Sequence, residues 1–293
     1  MKPLAPILTS ELFPELRGHL LSLLADLAPD DWLVPTAAGQ WNVKDVALHL
    51  LGGDLGNLSR RRDQQPLPAS IQGWDDLVAF INRINQSWVA AAQRLSTPVL
   101  RDLLDHSGRQ MDEYFMSLDP FVLGTPVSWA GPEPAPNWLD VAREYTERWH
   151  HQQQIRDATH RPGLYQPRLF APVLDTFVRA LPHTFRDVAA PANTTVQLTI
   201  PGEAGGRWIL QRASTRWELF QGDHVGAGLK PGEPRPSELP HAQPPTTEVT
   251  IPPEIAWKIF SRGIRGEAAR SAAKITGDEA LGAKVVEMVS VIA

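Results

Sequence analysis

"REYTERWHHQQQIRDA", residues 143–158, sets two adjacent histidines after a glutamate and before three glutamines. It lies inside "NWLDVAREYTERWHHQQQIRDAT" (137–159), which reads as a helix, with Asn137 as N-cap and Arg161-Pro162-Gly163 as its stop. Residues three and four apart share a helix face. Glu147 and His151 therefore point the same way and Gln154 continues their row, whereas His150 faces about a hundred degrees away from His151. Side chains one turn apart can reach a common ion. A catalytic zinc typically takes three protein ligands, so a third must come from elsewhere in the chain. The competing reading is a surface helix: a solvated histidine pair near a helix end, where cations complement the dipole, and an exposed Glu147 paired to Arg143 or Arg148.

Upstream, residues 10–160 read as helical. "SELFPELRGHLLSLLADLA" (10–28) carries one apolar stripe, Leu12, Leu16, Leu20, Leu23, Leu24 and Leu27, with Ser10 able to cap and Pro14 limiting where the helix begins. "NVKDVALHLLGGDLGNLSRR" (42–61) is a second helix, softened at Gly52-Gly53, and "WDDLVAFINRINQSWVAAAQRL" (74–95) a third. Ser96 and Thr97 offer caps for the fourth, which runs to about Leu118. Up-and-down helices of this kind make a bundle. The Pro-rich connection "LGTPVSWAGPEPAPN" (123–137) is of the sort that often sits over a site.

After about residue 190 the period changes. "NTTVQLTIPG" (193–202), "GRWILQRASTRWELFQG" (206–222) and "TTEVTIPP" (246–253) read as strands, and "EIAWKIFSRGI" and "DEALGAKVVEMVSVIA" return to helix. "LKPGEPRPSELPHAQPP" (229–245) reads as a surface loop. The second half is thus a small α+β domain, entered through the helix "RLFAPVLDTFVRALPHTF" (168–185).

Composition narrows the chemistry. The 293 residues carry a net charge of −5 with no long basic block, which argues against a nucleic-acid partner; "SRRRD" (59–63) reads as a solvated helix end. There are no cysteines, so any thiol chemistry needs a thiol from outside the protein. The N-terminus lacks the apolar core of a signal peptide and no run is long enough to span a membrane, which leads to the expectation of a cytoplasmic protein with no membrane partner.

Among the nine histidines, His49 stands apart. It lies in "WNVKDVALHLLGGD" (41–54), in an apolar run where a charged imidazole is costly without a partner. A core histidine bonded to a carbonyl or carboxylate accounts for it as simply as a metal ligand does.

Those two stretches together resemble the DinB/maleylpyruvate-isomerase-like metal-binding superfamily. "WNVKDVALHLLGGD" is similar to the tryptophan-to-histidine segment of its bundle, and "REYTERWHHQQQI" to its late helix. The resemblance implies His49, Glu147 and His151 as metal ligands and Gln154 beside them, supporting a ligand or the bound water. Glutamate rather than histidine at position 147 looks like the mycothiol-dependent maleylpyruvate isomerase branch; Gln154 departs from the aspartate usual there. "ITGDEALGAKVVEMVSVIA" is similar to the sterol-carrier-like domain that accompanies that bundle. The expected fold class is therefore α + β in two domains: a DinB-like up-and-down four-helix bundle over residues 1–163, and a small sterol-carrier-like α+β domain over 164–293.

The resemblance also implies a function: a divalent metal, zinc first and iron or nickel as alternatives, that activates a low-molecular-weight thiol, mycothiol or bacillithiol. The thiol would be transferred to a small electrophile, or would isomerise it. Arg60, Arg61, Arg262 and Arg265 are candidates for meeting an acidic substrate, and each reads equally well as a surface arginine. Two other classes stay open, a non-catalytic lipid or small-molecule binder and a metal-dependent hydrolase that needs no thiol.

Overall fold

The computed structural model describes residues 1–66, 72–222 and 244–290. The 229–245 loop lies almost wholly outside the described residues. The chain is of mixed α and β class and divides into two compact units, one of helices (Leu8–Leu123 and Pro136–Leu164) and one built on a sheet (Met1–Ile7, Gly124–Ala135 and Tyr165–Ile292). The sheet unit thus takes the first seven residues and an excursion between two helices, where a division at residue 163 would be a single cut.

Five helices make up the first unit: α1 (Phe13–Ala25), α2 (Val43–Asn57), α3 (Trp74–Ala92), α4 (Thr97–Ser117) and α5 (Asn137–Ala158). Pro14 falls in the first turn of α1, where its missing N–H costs nothing, and a 3₁₀ turn at Ser10–Leu12 leads into it. Ser10 is spent elsewhere, its hydroxyl donating to Phe115 O. α2 opens on a reciprocal cap: Asn42 Oδ1 accepts from Asp45 N–H at 2.9 Å and Asp45 Oδ2 from Asn42 N–H at 3.1 Å.

The Gly52-Gly53 pair does not soften α2, which stays helical through Asn57 and then loosens into a π turn over Leu58–Arg62. Gly52 is where α3 comes close. A Cβ there would strike the indole of Trp88, whose Nε1 donates to Leu48 O at 2.7 Å. Leu20, Leu24, Val46, Leu51, Leu100 and Ile155 are in the core these helices enclose. Pro136 holds the N-cap position of α5, one residue before Asn137, whose side-chain amide instead donates to Asp119 O.

The sheet unit carries β1 (Lys2–Pro3), β4 (Thr195–Ile200), β5 (Gly206–Arg212), β6 (Trp217–Gln221), β7 (Thr247–Thr250) and β8 (Lys274–Gly277) in the order β1-β6-β5-β4-β7-β8. The β4–β7 pair is parallel and the other ladders are antiparallel. β4 alternates strictly, with Val196, Leu198 and Ile200 buried, as a strand with one covered face must. A separate short ribbon joins β2 (Leu123–Pro126) to β3 (Pro134–Pro136).

Helices α6 (Pro167–Val178), α7 (Leu181–Thr184), α8 (Pro253–Phe260), α9 (Gly266–Ala272) and α10 (Glu279–Val286) complete the unit. Phe170, Phe177, Phe185, Trp257 and Phe260 are fully buried there. Pro172 stands inside α6, and the hydroxyl of Thr176 bonds Pro172 O at 2.7 Å. Among the described residues, no helix is long and apolar enough to cross a membrane.

Candidate metal centre

Helices α2 and α5 run antiparallel and exchange side-chain contacts along their length. Moving up α2, His49 meets Glu147, Asp54 meets Arg148, Asn57 meets Glu144, and Arg61 in the π turn meets Asp140. From Asp54 onward the α5 index falls as the α2 index rises, and the four contacts together span about three turns of α2.

At the His49 end the contacts converge. His49 Nε2 lies 3.3 Å from Glu147 Oε1, and His151 Nε2 lies 3.0 Å from the same oxygen. The two imidazole rings stand 4.6 Å apart, edge to face. One donor atom from each of His49, Glu147 and His151 falls within 4.8 Å of the others, and among the described residues no second histidine/carboxylate trio does so. Atoms bound to one zinc at 2.0–2.2 Å stand about 3.4 Å apart at a tetrahedral angle, so this spacing suits one small cation. The side chains of His49 and His151 are 12% and 10% exposed, while Glu147 at 28% opens the group to one side. Trp41 packs on His49, ring centroids 4.9 Å apart.

The protons add a second test of fit. Gln154 Oε1 sits 2.8 Å from His151 Nδ1, and a carbonyl oxygen can only accept, so Nδ1 carries the hydrogen. Neutral His151 then turns the lone pair of Nε2 towards Glu147 Oε1, which repels unless a proton or a cation stands between them. Burial lowers the His151 pKa but the Glu147 carboxylate more than restores it, and the net shift is upward. For Glu147 burial pushes the pKa up and the two histidines outweigh it, holding the carboxylate ionised well below its usual range. His49 is lowered, chiefly by burial, so it is a neutral donor; its Nδ1 is buried with no hydrogen-bond partner. The residues present fit a divalent cation, which would take the place of the proton that Glu147 favours on His151 Nε2: two imidazoles and one carboxylate around one point.

The rest of "WHHQQQ" is not solvated. Trp149, His150, His151, Gln152, Gln153 and Gln154 are all buried. His150 is turned off the Glu147 row, and burial takes its pKa to about 3, so it stays neutral. Gln152 donates to Leu16 O at 3.1 Å and Gln153 accepts from Leu164 N–H at 3.0 Å. Gln152 therefore ties α5 to α1, and Gln153 ties it to the segment that follows α5.

Sequence reasoning missed the charges beneath the centre. Arg148 does not pair with Glu147; its guanidinium bonds Glu144 Oε2 and Asp54 Oδ1, each at 2.7 Å. The spacing of Glu144 and Arg148, four apart on one helix, was the available signal. Arg61 is committed to Asp140 and lies 3.7 Å from Glu144. Arg60 has no carboxylate partner among the described residues and donates only to Gly56 O. Arg262 and Arg265 belong to the sheet unit.

Residues 13–156 match the family "Mycothiol maleylpyruvate isomerase N-terminal domain". Two solved structures share the fold. A histidine-to-alanine variant of the mycothiol-dependent maleylpyruvate isomerase is 10% identical over 91% of each chain, with a TM-score of 0.52. The mycothiol-dependent maleylpyruvate isomerase itself is 11% identical, covering 88% of this chain and 89% of that one, with a TM-score of 0.51. No curated protein sequence matches the chain. The helical region that holds His49, Glu147 and His151, residues 13–156, belongs to the mycothiol maleylpyruvate isomerase N-terminal domain family.

Proposed function

We propose that the chain is a metal-dependent enzyme that uses an external low-molecular-weight thiol, mycothiol or its bacillithiol counterpart, to isomerise or thiolate a small electrophile. The single observation that carries this reading is the convergence of His49, Glu147 and His151 on one point within a domain of that family. His49 and His151 would hold the cation through Nε2 and Glu147 through Oε1, with zinc the best match to this donor set. A cation bound there lowers the pKa of a coordinated thiol, giving a thiolate at neutral pH.

The protein's own groups have defined tasks in this reading. Gln154 fixes His151 in the Nδ1–H tautomer, which keeps Nε2 free to donate its lone pair. Glu147 remains ionised and offsets part of the cation's charge. Trp41 covers one face of His49 and shields it from water. Because the chain has no cysteine, the reacting sulfur must arrive with a cosubstrate. The thiol-dependent reading is favoured over a hydrolase or a lipid binder because the comparison proteins are named for mycothiol dependence.

The test is elemental analysis of the purified chain, followed by titration of the zinc-loaded protein with mycothiol, bacillithiol and glutathione. One equivalent of metal, absent from His151→Ala, and saturable binding of one thiol support the proposal. Metal-free wild type, or ester hydrolysis undiminished without any thiol, overturns it.

A further inference from the structure

Below the centre, one arginine is held by its own helix and the three helices that flank it. The Arg148 guanidinium donates to Asp54 on α2 and to Glu144 on its own helix, with a third bond to Glu144 O at 3.0 Å. It also lies 5.6 Å from the ring of Phe13 on α1 and 5.6 Å from that of Phe115 on α4. Both carboxylates are secured in turn. Ser107 on α4 donates to Asp54 Oδ2 at 2.9 Å, and Asn57 on α2 donates to Glu144 Oε2 at 2.9 Å. Arg143 takes the other Glu144 oxygen, and the side chains of Asp54 and Glu144 are 7% and 6% exposed, so this is an interior charge network with each oxygen accounted for.

An interior ion triad is weak evidence for stability, because desolvating the charges cancels most of their attraction. Its better-attested use is to specify one register. Here the register has a consequence. Arg148 directly follows Glu147, and consecutive helical residues point about 100° apart. Locking Arg148 between α1, α2 and α4 fixes the rotation of α5, and with it the row Glu147, His151, Gln154 that must face His49. Sliding α2 against α5 by one residue moves the facing atoms about 1.5 Å, several times the roughly 0.2 Å tolerance of a metal–ligand distance.

We infer that Arg148 is the positioning residue of the centre, acting with Asp54 and Glu144 to hold the His49, Glu147 and His151 donors at binding distance. The inference rests on the proposed metal function, since it assigns these three residues their effect through that site. They touch none of the donor atoms and supply no ligand.

The test is cobalt(II) affinity and the visible d–d spectrum of the full chain, measured beside the thermal midpoint without metal. Arg148→Met alone strands the buried Asp54, whereas Glu144 keeps Arg143, so the informative variant is the charge-balanced Asp54→Asn/Arg148→Met. Its metal-free midpoint should stay near wild type, while cobalt affinity falls roughly 10- to 100-fold and the d–d bands shift or broaden. Arg148→Lys, which keeps the charge but not the fork, should fall between the two. Wild-type affinity and spectrum in either folded variant overturns the positioning role alone. A wild-type chain that binds no cobalt overturns the metal reading, and this inference with it.

Discussion

The helical unit and the sheet unit bury polar groups of different kinds. Among the described residues of the sheet unit the buried polar ones are Thr176, Thr194, Thr247, Ser261 and Ser290, all hydroxyls. Ser290 is representative: its Oγ donates to Phe177 O at 2.8 Å within a core of aromatic rings. Inside the helical unit the buried set includes Asp54, Asp112, Glu144, His150, His151 and Gln154. A hydroxyl needs one partner and carries no net charge, so it serves packing at small cost. Buried carboxylates and imidazoles are costly unless each is matched, and such groups cluster where chemistry is performed. The contrast is the one that the proposed chemistry on α2 and α5 requires.

Several substitutions sharpen or break that contrast, taken from the largest effect down. His151→Ala should lower bound metal from one equivalent to near zero by elemental analysis, with helicity retained by circular dichroism. Arg148→Met should destabilise the fold by roughly 3–5 kcal/mol in denaturant titration, because it leaves Asp54 buried without its counter-charge. Chelating the metal from wild type should lower stability by about 2.7 kcal/mol relative to protein held at a hundred times the dissociation constant, and should leave His151→Ala unmoved. Ser290→Ala, in the other unit, should cost only about 1 kcal/mol and leave metal content unchanged. A charge-sized effect of Ser290→Ala, or none from Arg148→Met, would break the comparison.

The smallest effect concerns pH. Burial pushes the Glu144 pKa up, but Arg143, Arg148 and Arg61 outweigh it and hold the carboxylate below its usual range. A carboxylate whose pKa is depressed by folding contributes stability fully above its unfolded-state pKa, about 4.3, and loses that contribution as pH falls towards the folded-state value. The stability gap between wild type and Glu144→Gln should therefore be constant near neutrality and narrow progressively below about pH 5. A gap independent of pH down to 3 would show that Glu144 is not held ionised by its arginines.

Much of the architecture was readable along the chain, because period and caps are local. The helical stripe of α1, the Asn42/Asp45 box and the two-residue alternation of β4 each leave a signature within a few positions. β8 was not legible: four residues at a sheet edge, "KITG", carry too little alternation to separate from a turn. Burial of α5 was hidden for a related reason. Its polar residues match a surface helix by composition, and only partners such as Leu16 O and Leu164 N–H, distant in sequence, make an interior out of "HHQQQ".

Sequence by itself determined the mixed α and β class, the lack of any cysteine thiol in the chain, and the shared helix face of Glu147, His151 and Gln154, since a helix of 3.6 residues per turn admits no other placement. Tertiary structure alone decided that His49, 98 residues from Glu147, closes on the same oxygen as His151. It alone decided that Arg148 turns inward to Asp54 and Glu144 and away from Glu147. The physical reason is that intrahelical geometry is set by neighbouring residues. Which helix faces which, and at what register, is settled by matching buried charges and filling a common core, and those terms exist only once the chain has closed on itself.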